Sequence, residues 1–462
     1  MNQAVRKNLN LAELVARDTT HHLHPFTDHK SFHAEGGARF VTHAKGVWLW
    51  DGKGQKLLDA MSGLWCVNIG YGRKELAEAA YRQMLDLPYY NTFFKTSTEP
   101  ATELAAKVSS LMPARFRQVF FVNSGSEAND TIVRLVRYYW ALKGHPERIH
   151  FIGRNRGYHG STMAAASLGG MQSMHGQGGL PLPGFHHVME PDWFQLGGDM
   201  SPEEFGLKAA REVEKKIGEL GSDKVAAFIG EPIQGAGGVI IPPSTYWPEV
   251  QRICRKHGIP IIADEVISGF GRTGEWWGFE TMGIEPDIVP MAKGLSSGYL
   301  PIGAVALSET IMKDFIELGG EFFHGYTYSG HPAACAVALE NIRLLEDEKL
   351  IQRVKTLEPY VKEKIGALAD HPIVGEVRVK GLIGAIELVR DKKSRARFEP
   401  LGRVGGICRD HCFASGLIMR ACWDTMVFAP PFCITEGEID EWAKLARAAL
   451  DKTWAAVKHE VA

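Results

Sequence analysis

The sequence predicts an α/β fold: a mostly parallel sheet, covered by helices on both faces, in a large domain, with a smaller α+β domain built from both chain ends. Three observations support this fold class. The 462 residues, 45% hydrophobic and 23% charged, suffice for a sizeable core and have an ordinary globular composition. From about residue 75 to 340, short apolar runs alternate with amphipathic helical patterns, which favours a parallel sheet. Beyond about 345 the pattern changes to a helix, short strands and a terminal helix.

The elements follow from local patterns along the chain. Near the N-terminus, strand patterns at 46–52 and 56–59 meet at Asp51-Gly52, a pair typical of a hairpin turn. The apolar runs of the large domain predict strands at 118–122, 150–153, 225–229, 259–263 and 288–291. The remaining predicted elements are strands at 39–42, 377–379 and 382–388 and a helix from about Glu436. The predicted domains are 1–70 (N-terminal part of the small domain), 71–340 (large domain) and 341–462 (C-terminal small domain).

Charge and cysteine usage exclude several classes of function. A net charge of −2 without basic runs provides no field for capturing nucleic acid or an anionic membrane. The seven scattered cysteines lack Cys-x-x-Cys spacing, which indicates reduced thiols in a cytoplasmic protein. We find neither a signal-peptide pattern nor a stretch approaching the ~20 apolar residues of a membrane span. We therefore expect a cytoplasmic protein with small-molecule partners and no metal site.

Two polar residues that follow apolar runs suggest the chemistry. Asp264 follows Ile-Pro-Ile-Ile-Ala, and Lys293 follows Asp-Ile-Val-Pro-Met-Ala. Each residue taken alone has an ordinary explanation, a turn or cap for the aspartate and a solvated strand end for the lysine. Together they provide what pyridoxal 5'-phosphate (PLP) requires: an amine that holds the aldehyde as a Schiff base, and an anion opposite the pyridinium nitrogen.

A second motif predicts a phosphate site. The apolar run ending at Val122 leads into Asn123-Ser124-Gly125-Ser126-Glu127 and a helical pattern. Ser124 and Glu127 have the spacing of a capping box, so this motif is also explained by a well-capped helix. The free N–H groups and the positive end of a helix dipole would equally attract a phosphate.

Other residues near strand ends are candidates for the faces and edges of a bound ring. Tyr158 lies in the glycine-rich segment 153–162 and could cover one face, although an ordinary loop residue is an equal reading. Val266 is two residues beyond Asp264, on the same side of an extended strand. Glu231 and Gln234 add polar groups at another strand exit.

In combination these motifs resemble the fold-type I PLP transferases and, within them, the class III aminotransferases. The resemblance covers nearly the whole chain, and it is carried by ordered blocks. These are 123–129, Ala-Asp-Glu-Val at 263–266, Gly-Phe-Gly-Arg-Thr-Gly at 269–274, Pro-Asp-Ile at 286–288, Ala-Lys-Gly at 292–294 and Thr-Tyr-Ser-Gly-His-Pro at 327–332. Segments 63–73, 90–94 and 416–420 resemble the ω-amine:pyruvate transaminases, including those that use putrescine-like diamines or β-alanine.

The resemblance implies roles for individual residues. Lys293 would be the Schiff-base and proton-transfer lysine, and Asp264 would pair with the ring nitrogen. The further cofactor contacts implied are Ser124, Gly125, Ser126, Tyr158, His159, Glu231 and Val266, with Thr327 from a neighbouring subunit. The implied substrate pocket comprises Trp65, Phe93, Tyr158, Ala236 and Arg420. The protein would be a homodimer or a dimer of dimers, with active sites at the subunit interface.

The residues at the substrate end define the expected substrate class. Arg420 would pair with a carboxylate, because a guanidinium can bind both oxygens; alone, it could be a surface charge. Many class III members have Glu where this chain has Ala236, so we expect a more apolar pocket that suits amines with neutral or aromatic bodies. Trp423, close to Arg420, is expected to reshape the carboxylate end.

The function implied is ping-pong transfer of an amino group from a primary amine or ω-amino compound to pyruvate. Alternatives within PLP chemistry are an aminomutase, a decarboxylase or a transaminase that uses 2-oxoglutarate. A non-catalytic phosphate-binding protein is a further alternative, but it leaves the Asp264 and Lys293 motifs unexplained.

Overall fold

The computed structural model describes residues 10–461. The strands in that range are β1 (Val41–Lys45), β2 (Trp48–Asp51), β3 (Lys56–Asp59), β4 (Phe116–Val122), β5 (His150–Arg154), β6 (Phe185–Val188), β7 (Val225–Gly230), β8 (Ile261–Ala263), β9 (Ile288–Met291), β10 (Gly303–Ser308), β11 (Val374–Lys380), β12 (Ile383–Leu388), β13 (Leu417–Ile418), β14 (Arg420–Cys422) and β15 (Thr425–Phe428).

The helices are α1 (Leu11–His21), α2 (His29–Ala34), α3 (Ser62–Trp65), α4 (Lys74–Asp86), α5 (Glu99–Ser110), α6 (Gly125–Leu142), α7 (Met163–Leu168), α8 (Gln172–His175), α9 (Trp193–Leu196), α10 (Pro202–Leu220), α11 (Tyr246–His257), α12 (Gly278–Met282), α13 (Glu309–Leu318), α14 (Pro332–Asp347), α15 (Leu350–Gly366), α16 (Arg403–Ala414) and α17 (Glu436–Val457). Short 3₁₀ helices span Lys293–Leu295 and Ala367–Asp370.

The central sheet has seven strands in the order β4-β10-β9-β8-β7-β5-β6. Strands β6, β5, β7, β8 and β9 are parallel to one another. Strand β10 is antiparallel to both of its neighbours, β9 and β4, so β4 runs in the same direction as the parallel set. The carboxyl ends of six strands therefore lie along one edge of the sheet.

Hydrophobic clusters cover both faces of this sheet. Successive residues of β10 alternate between two clusters: Ala304 and Ala306 join one, Val305 and Leu307 the other. This alternation follows from the period of two in a strand. Helix α6 contributes its apolar face to the second cluster and α11 to the first. A strand covered on both faces consists of apolar residues without alternation, which explains why β7 and β10 are buried throughout.

Two smaller sheets contain segments from the ends of the chain. One has the order β1-β2-β3-β13, and the other β11-β12-β15-β14. Strand β13 is parallel to β3, with Leu417 opposite Leu58, so the C-terminal part of the chain completes a sheet begun near the N-terminus. The predicted hairpin is confirmed, because β2 and β3 are antiparallel and Asp51 accepts hydrogen bonds from the Lys53 and Gln55 N–H groups in the turn.

The predicted fold class is confirmed, whereas individual elements differ from the prediction. We did not predict β6, β10, β13, β14 or β15. The run Gly303–Ser308 is short and rich in small residues, so periodicity could not distinguish a strand from a helix there. The strand predicted at 259–263 begins at Ile261. The domain boundaries remain a prediction.

Candidate active site

The chemically important side chains lie at the carboxyl edge of the central sheet. Asp264 directly follows β8, and Lys293 follows β9 by two residues. These strands are parallel neighbours, with Ile262 opposite Ile288, so both side chains emerge at the same edge. Ser124 follows β4 at that edge too. Ligands of open α/β sheets bind in this position.

A cavity of about 810 Å³ opens at this edge. Most of the predicted site residues line it: Trp65, Ser124, Gly125, Ser126, Tyr158, His159, Glu231, Ala236, Asp264, Val266, Lys293 and Arg420. Phe93 and Thr327 do not. Phe93 packs against Phe94, with ring centroids 5.9 Å apart, and the exposed Thr327 accepts a hydrogen bond from the Tyr89 hydroxyl through its carbonyl oxygen at 2.7 Å.

The Asp264 carboxylate has a fixed orientation. Its side chain is only 2% exposed, and Oδ2 lies 2.7 Å from His159 Nδ1. The Asn129 Nδ2 donates to the same oxygen at 3.0 Å, and the Val266 N–H donates to Oδ1 at 3.0 Å. Asn129 also donates to the carbonyl oxygen of His159 at 2.7 Å, which holds the imidazole and carboxylate in register. The carboxylate therefore presents a constrained anion to the cavity.

The Lys293 side chain carries a half-buried amine that lines the cavity. Burial lowers its pKa, and the charge of Asp264 partly offsets that effect. Among residues 10–461 we find no hydrogen bond or ion pair from its Nζ. Its backbone is left-handed, with φ of 38°, a strained conformation for a residue other than glycine. An amine with a lowered pKa has more of its nucleophilic neutral form at neutral pH.

The N-terminus of α6 forms another side of the cavity. Ser124 caps the helix, because its Oγ accepts a hydrogen bond from the Glu127 N–H at 3.2 Å. The Glu127 carboxylate accepts a hydrogen bond from the Asn123 N–H at 2.7 Å and not from the Ser124 N–H. Only one of the two hydrogen bonds of the predicted capping box is therefore present. The first N–H groups of a helix have no partner within it, which leaves a site for an anion.

Gly125 is required by its close approach to a neighbouring strand end. A Cβ at this position would lie 3.0 Å from both methyl groups of Val266. The missing side chain therefore lets the start of α6 approach the segment after β8 and leaves the cavity open between them.

Glu231 anchors two loops at the cavity wall. Its Oε1 accepts a hydrogen bond from the Tyr158 N–H at 3.1 Å, and its Oε2 accepts one from the Gly235 N–H at 2.7 Å. Burial raises the pKa of this carboxyl group. Glu231 thereby links the loop that carries Tyr158 to the loop that carries Ala236.

The predicted substrate residues form another part of the wall. The guanidinium carbon of Arg420 lies 4.8 Å from the centre of the Trp65 ring. Trp65 is buried in a left-handed conformation, with φ of 58°. Ala236 is 4% exposed. Trp423 is not among the lining residues; it lies in the turn between β14 and β15, against Arg156. The expected effect of Trp423 on the carboxylate end stays a prediction.

The structure adds residues that the sequence reasoning missed. Asn129 belongs to the 123–129 motif, so its position one turn into α6 was a usable signal. Phe26 and Arg409 also line the cavity, but they come from distant segments without a recognisable pattern. Phe26 lies edge-on to Tyr158, with centroids 6.5 Å apart.

One His/Asp cluster lies outside the predicted site. Asp18, His22 and His24 have potential ligand atoms within 4.8 Å of one another. The Asp18 carboxylate lies 3.0 Å from His22 Nδ1 and 2.7 Å from His24 Nε2. These hydrogen bonds account for the arrangement without an ion.

The cavity has the donor set that PLP requires. An amine with a lowered pKa suits the aldehyde, a constrained carboxylate suits the ring nitrogen, and a helix N-terminus suits the phosphate. The approach of Gly125 to Val266 leaves space where a Cβ would intrude. Fold and site together define a PLP-dependent transferase of fold type I.

Comparison with known proteins shows the family. Residues 32–450 match the model of the aminotransferase class-III family, and the chain belongs to it. It is 56% identical to a putrescine–pyruvate aminotransferase of Pseudomonas aeruginosa over 97% of this chain and 98% of that protein. It is therefore a PLP-dependent aminotransferase, acting on amine and keto acid substrates.

Solved structures agree with this assignment. An (S)-enantioselective ω-transaminase from Thermomicrobium roseum is 43% identical, with a TM-score of 0.93 over 96% of this chain and 99% of that one. The ω-transaminase of Pseudomonas jessenii in complex with PMP is 42% identical, with a TM-score of 0.93 and the same coverage. No helix among residues 10–461 has the length and apolar composition of a membrane span.

Proposed function

We propose that this aminotransferase moves an amino group from a primary amine, with putrescine-like diamines as the first candidates, to pyruvate. The observation that carries the proposal is the position of Arg420. Its guanidinium lines the same cavity as the Lys293 amine and lies against the Trp65 ring. A keto acid has a carboxylate for Arg420 to bind and a carbonyl carbon to present towards Lys293. The named diamine specificity of the Pseudomonas aeruginosa relative supports the amine.

The chain's own groups would divide the work as follows. When bound, PLP supplies the electron sink that makes the substrate carbon acidic. Lys293 Nζ would hold the cofactor and would then carry a proton from the substrate carbon to the cofactor carbon that had carried the aldehyde. Asp264, oriented by His159 and Asn129, would keep the ring nitrogen protonated. Moving the proton within one bound complex replaces a bimolecular encounter. In favourable systems such positioning lowers the activation barrier by up to about 7–11 kcal/mol.

The other predicted contacts would position the reactants. Ser124, Gly125 and Ser126 at the start of α6 would bind the phosphate, and Tyr158 and Val266 would contact the two ring faces. Glu231 would hold the Tyr158 loop through its hydrogen bond to the backbone. Trp65, Tyr158 and Ala236 form a wall without a carboxylate at position 236. This wall would contact the methylene chain or the aryl group of an amine.

We also propose that the active site is completed by a second copy of the chain in a homodimer. Thr327 and Phe93 lie outside the cavity of their own chain. Several large apolar side chains nearby are exposed, including Tyr90, Phe94 and Phe323, which is typical of a buried contact in an assembly. We further propose that the protein works in the cytoplasm, consistent with seven free thiols within residues 10–461.

The test separates the two halves of the reaction. Purified holoenzyme is mixed with putrescine or 1-phenylethylamine, and the cofactor absorbance is followed by stopped flow. Addition of pyruvate or 2-oxoglutarate in a second mixing step then reports amino-group return. We expect loss of the yellow band with amine and its recovery with pyruvate. Recovery only with 2-oxoglutarate would contradict the pyruvate proposal, and no change with any amine would contradict amine transfer.

Arg420→Ala tests whether Arg420 binds the keto acid carboxylate, and Arg409→Ala is its matched control. Both residues line the cavity, but the Arg409 side chain is 55% exposed and its guanidinium is paired with Asp410 at 2.9 Å. Loss of a charged hydrogen-bonding partner costs about 1.5–3 kcal/mol, so kcat/KM for pyruvate should fall about 10- to 150-fold in Arg420→Ala. The amine half-reaction should change little, as should both half-reactions of Arg409→Ala. Equal losses for amine and pyruvate would refute the assigned role of Arg420.

A further inference from the structure

The wall of the cavity at Ala236 belongs to a loop with an unfavourable backbone. Gln234 and Ile240 close the loop through reciprocal N–H to carbonyl hydrogen bonds of 3.1 and 2.9 Å. Between them Gly238 and Val239 have φ of 110° and 51°. A left-handed conformation is rare for a β-branched residue such as valine, so contacts from outside the loop must hold this shape.

Two arginines, Arg156 and Arg378, whose side chains are 13% and 10% exposed, supply those contacts by donating to three successive carbonyl groups. Arg378 donates to the carbonyl oxygens of Gly238 at 2.6 Å and Val239 at 2.7 Å. Arg156 donates to the carbonyl oxygen of Gly237, directly beside Ala236. The loop's conformation is therefore set from the side facing away from the cavity.

The two arginines are held differently. Arg378 forms ion pairs with Glu376 at 2.6 Å and Glu387 at 2.8 Å. Arg156 has one carboxylate partner, Asp192 at 2.6 Å, and its Nε is buried without a hydrogen-bond partner among the described residues. Its remaining support is the Trp423 ring, whose centre lies 4.9 Å from the guanidinium carbon. Such a contact stabilises a cation over an indole face.

We infer that Trp423 is a positioning residue that acts through Arg156 on the 235–239 loop and thereby sets which amine bodies fit against Ala236. The inference rests on the proposed function in naming the amine as the group that this wall contacts. The effect of Trp423 on the position of the 235–239 loop does not depend on the proposed function.

The kinetic consequence is a change in amine selectivity. Without the Trp423 ring, Arg156 can move and lose its hydrogen bond to the Gly237 carbonyl. The loop with Ala236 can then shift and make room for a larger amine substrate. For Trp423→Ala we expect the ratio of kcat/KM for 1-phenylethylamine to kcat/KM for putrescine to rise about 3- to 10-fold, the size expected of a cation–π contact. Pyruvate turnover should stay within about twofold, because Arg420, the proposed partner of the pyruvate carboxylate, lies against Trp65 and not against the 235–239 loop.

The structural readout is hydrogen exchange, which needs no turnover. Exchange in a peptide spanning 234–240 should accelerate in Trp423→Ala and in Arg156→Gln, and Trp423→Phe should restore most of the protection. Trp454→Ala is the control, since Trp454 lies on the terminal helix and packs edge-on to His371, with ring centroids 6.4 Å apart. It should leave the 234–240 peptide unchanged.

A double variant tests the route through Arg156. If Trp423 acts through that guanidinium, Trp423→Ala combined with Arg156→Gln should shift selectivity no further than Arg156→Gln alone. Additive shifts, or unchanged exchange in 234–240 in Trp423→Ala, would overturn the inference. If no amine is turned over, the proposed function fails, and the exchange measurement still decides the positioning role.

Discussion

Glu265, the buried carboxyl next to Asp264, connects the chemistry of the site to the stability of the fold. Its Oε2 accepts hydrogen bonds from Ser268 Oγ at 2.8 Å and from the Gly278 N–H at 2.9 Å. Its Oε1 accepts one from the Phe279 N–H at 2.5 Å. Burial nevertheless raises its pKa to about 7, from an ordinary value of 4.5. The start of α12 is therefore fixed to the segment that carries Asp264.

A raised pKa makes the stability depend on pH in a defined direction. Between pH 4.5 and about 7 the unfolded chain has lost the Glu265 proton and the folded protein retains it, so stability falls as pH rises. The contribution of protonated Glu265 to the free energy of unfolding is fully present below pH 4.5. At 1.36 kcal/mol per pH unit, about 3 kcal/mol is lost by pH 7. An unfolding entropy of about 2.1 cal/mol/K per residue gives about 1 kcal/mol/K for this chain, so the Tm should fall by about 3 °C.

Glu265→Gln isolates this contribution because glutamine does not ionise. Its amide also places an N–H group where Glu265 now accepts, so the variant should be less stable at low pH. The Tm of wild-type and variant holoenzyme should be measured by calorimetry from pH 5 to 8 at one scan rate. Other buried carboxyls titrate in both proteins and cancel in the difference. The Tm advantage of the wild type should shrink by about 2.5 °C across this range, because part of the contribution is already lost at pH 5. A constant advantage would refute the reasoning.

Three further predictions concern the site and its support. Asp264→Asn should lower kcat for both half-reactions by at least about 100-fold, since an opposite charge that favours protonation of the ring nitrogen is lost. A spectroscopic pH titration of the bound cofactor should show a lowered pKa of the ring nitrogen. An unchanged titration would contradict the role of Asp264. Gly125→Ala should weaken PLP binding, because its Cβ would meet Val266 at 3.0 Å, whereas Gly218→Ala, which meets no atom within 4 Å among the described residues, should leave the PLP Kd unchanged. Arg272→Met should cost about 3–5 kcal/mol, as expected for removing one member of a buried polar network, measured as a Tm lowered by about 3–5 °C.

The chemical core of the site could be predicted because it depends on local sequence. Asp264, Lys293 and Ser124 each end an apolar run, and parallel strands bring such ends to one edge. Trp423 was singled out for its neighbour in sequence, Arg420, but it contacts Arg156 instead. That contact joins the β14–β15 turn to the loop after β5, and no local pattern records it. Likewise, β10 was missed because its small apolar residues fit either a helix or a strand.

Arginine side chains outside the cavity lining support the two walls that contain Trp65 and Ala236. Arg272 donates to the side chains of Ser62 and Asn68, which flank Trp65, and it also donates to the carbonyl oxygens of Leu382 and Pro430. Burial lowers the pKa of Arg272 to about 9.

The Trp65 wall therefore depends on Arg272 as the Ala236 wall depends on Arg156 and Arg378. Both walls contain residues with left-handed backbone, Trp65 and Val239, and such strain persists only where surrounding contacts fix it. The reacting groups Asp264 and Lys293 instead follow strands β8 and β9 of the central sheet within two residues. Substitutions behind the walls can consequently change which amines fit while the strand-end chemistry stays the same, which separates amine selectivity from the transfer reaction in this fold.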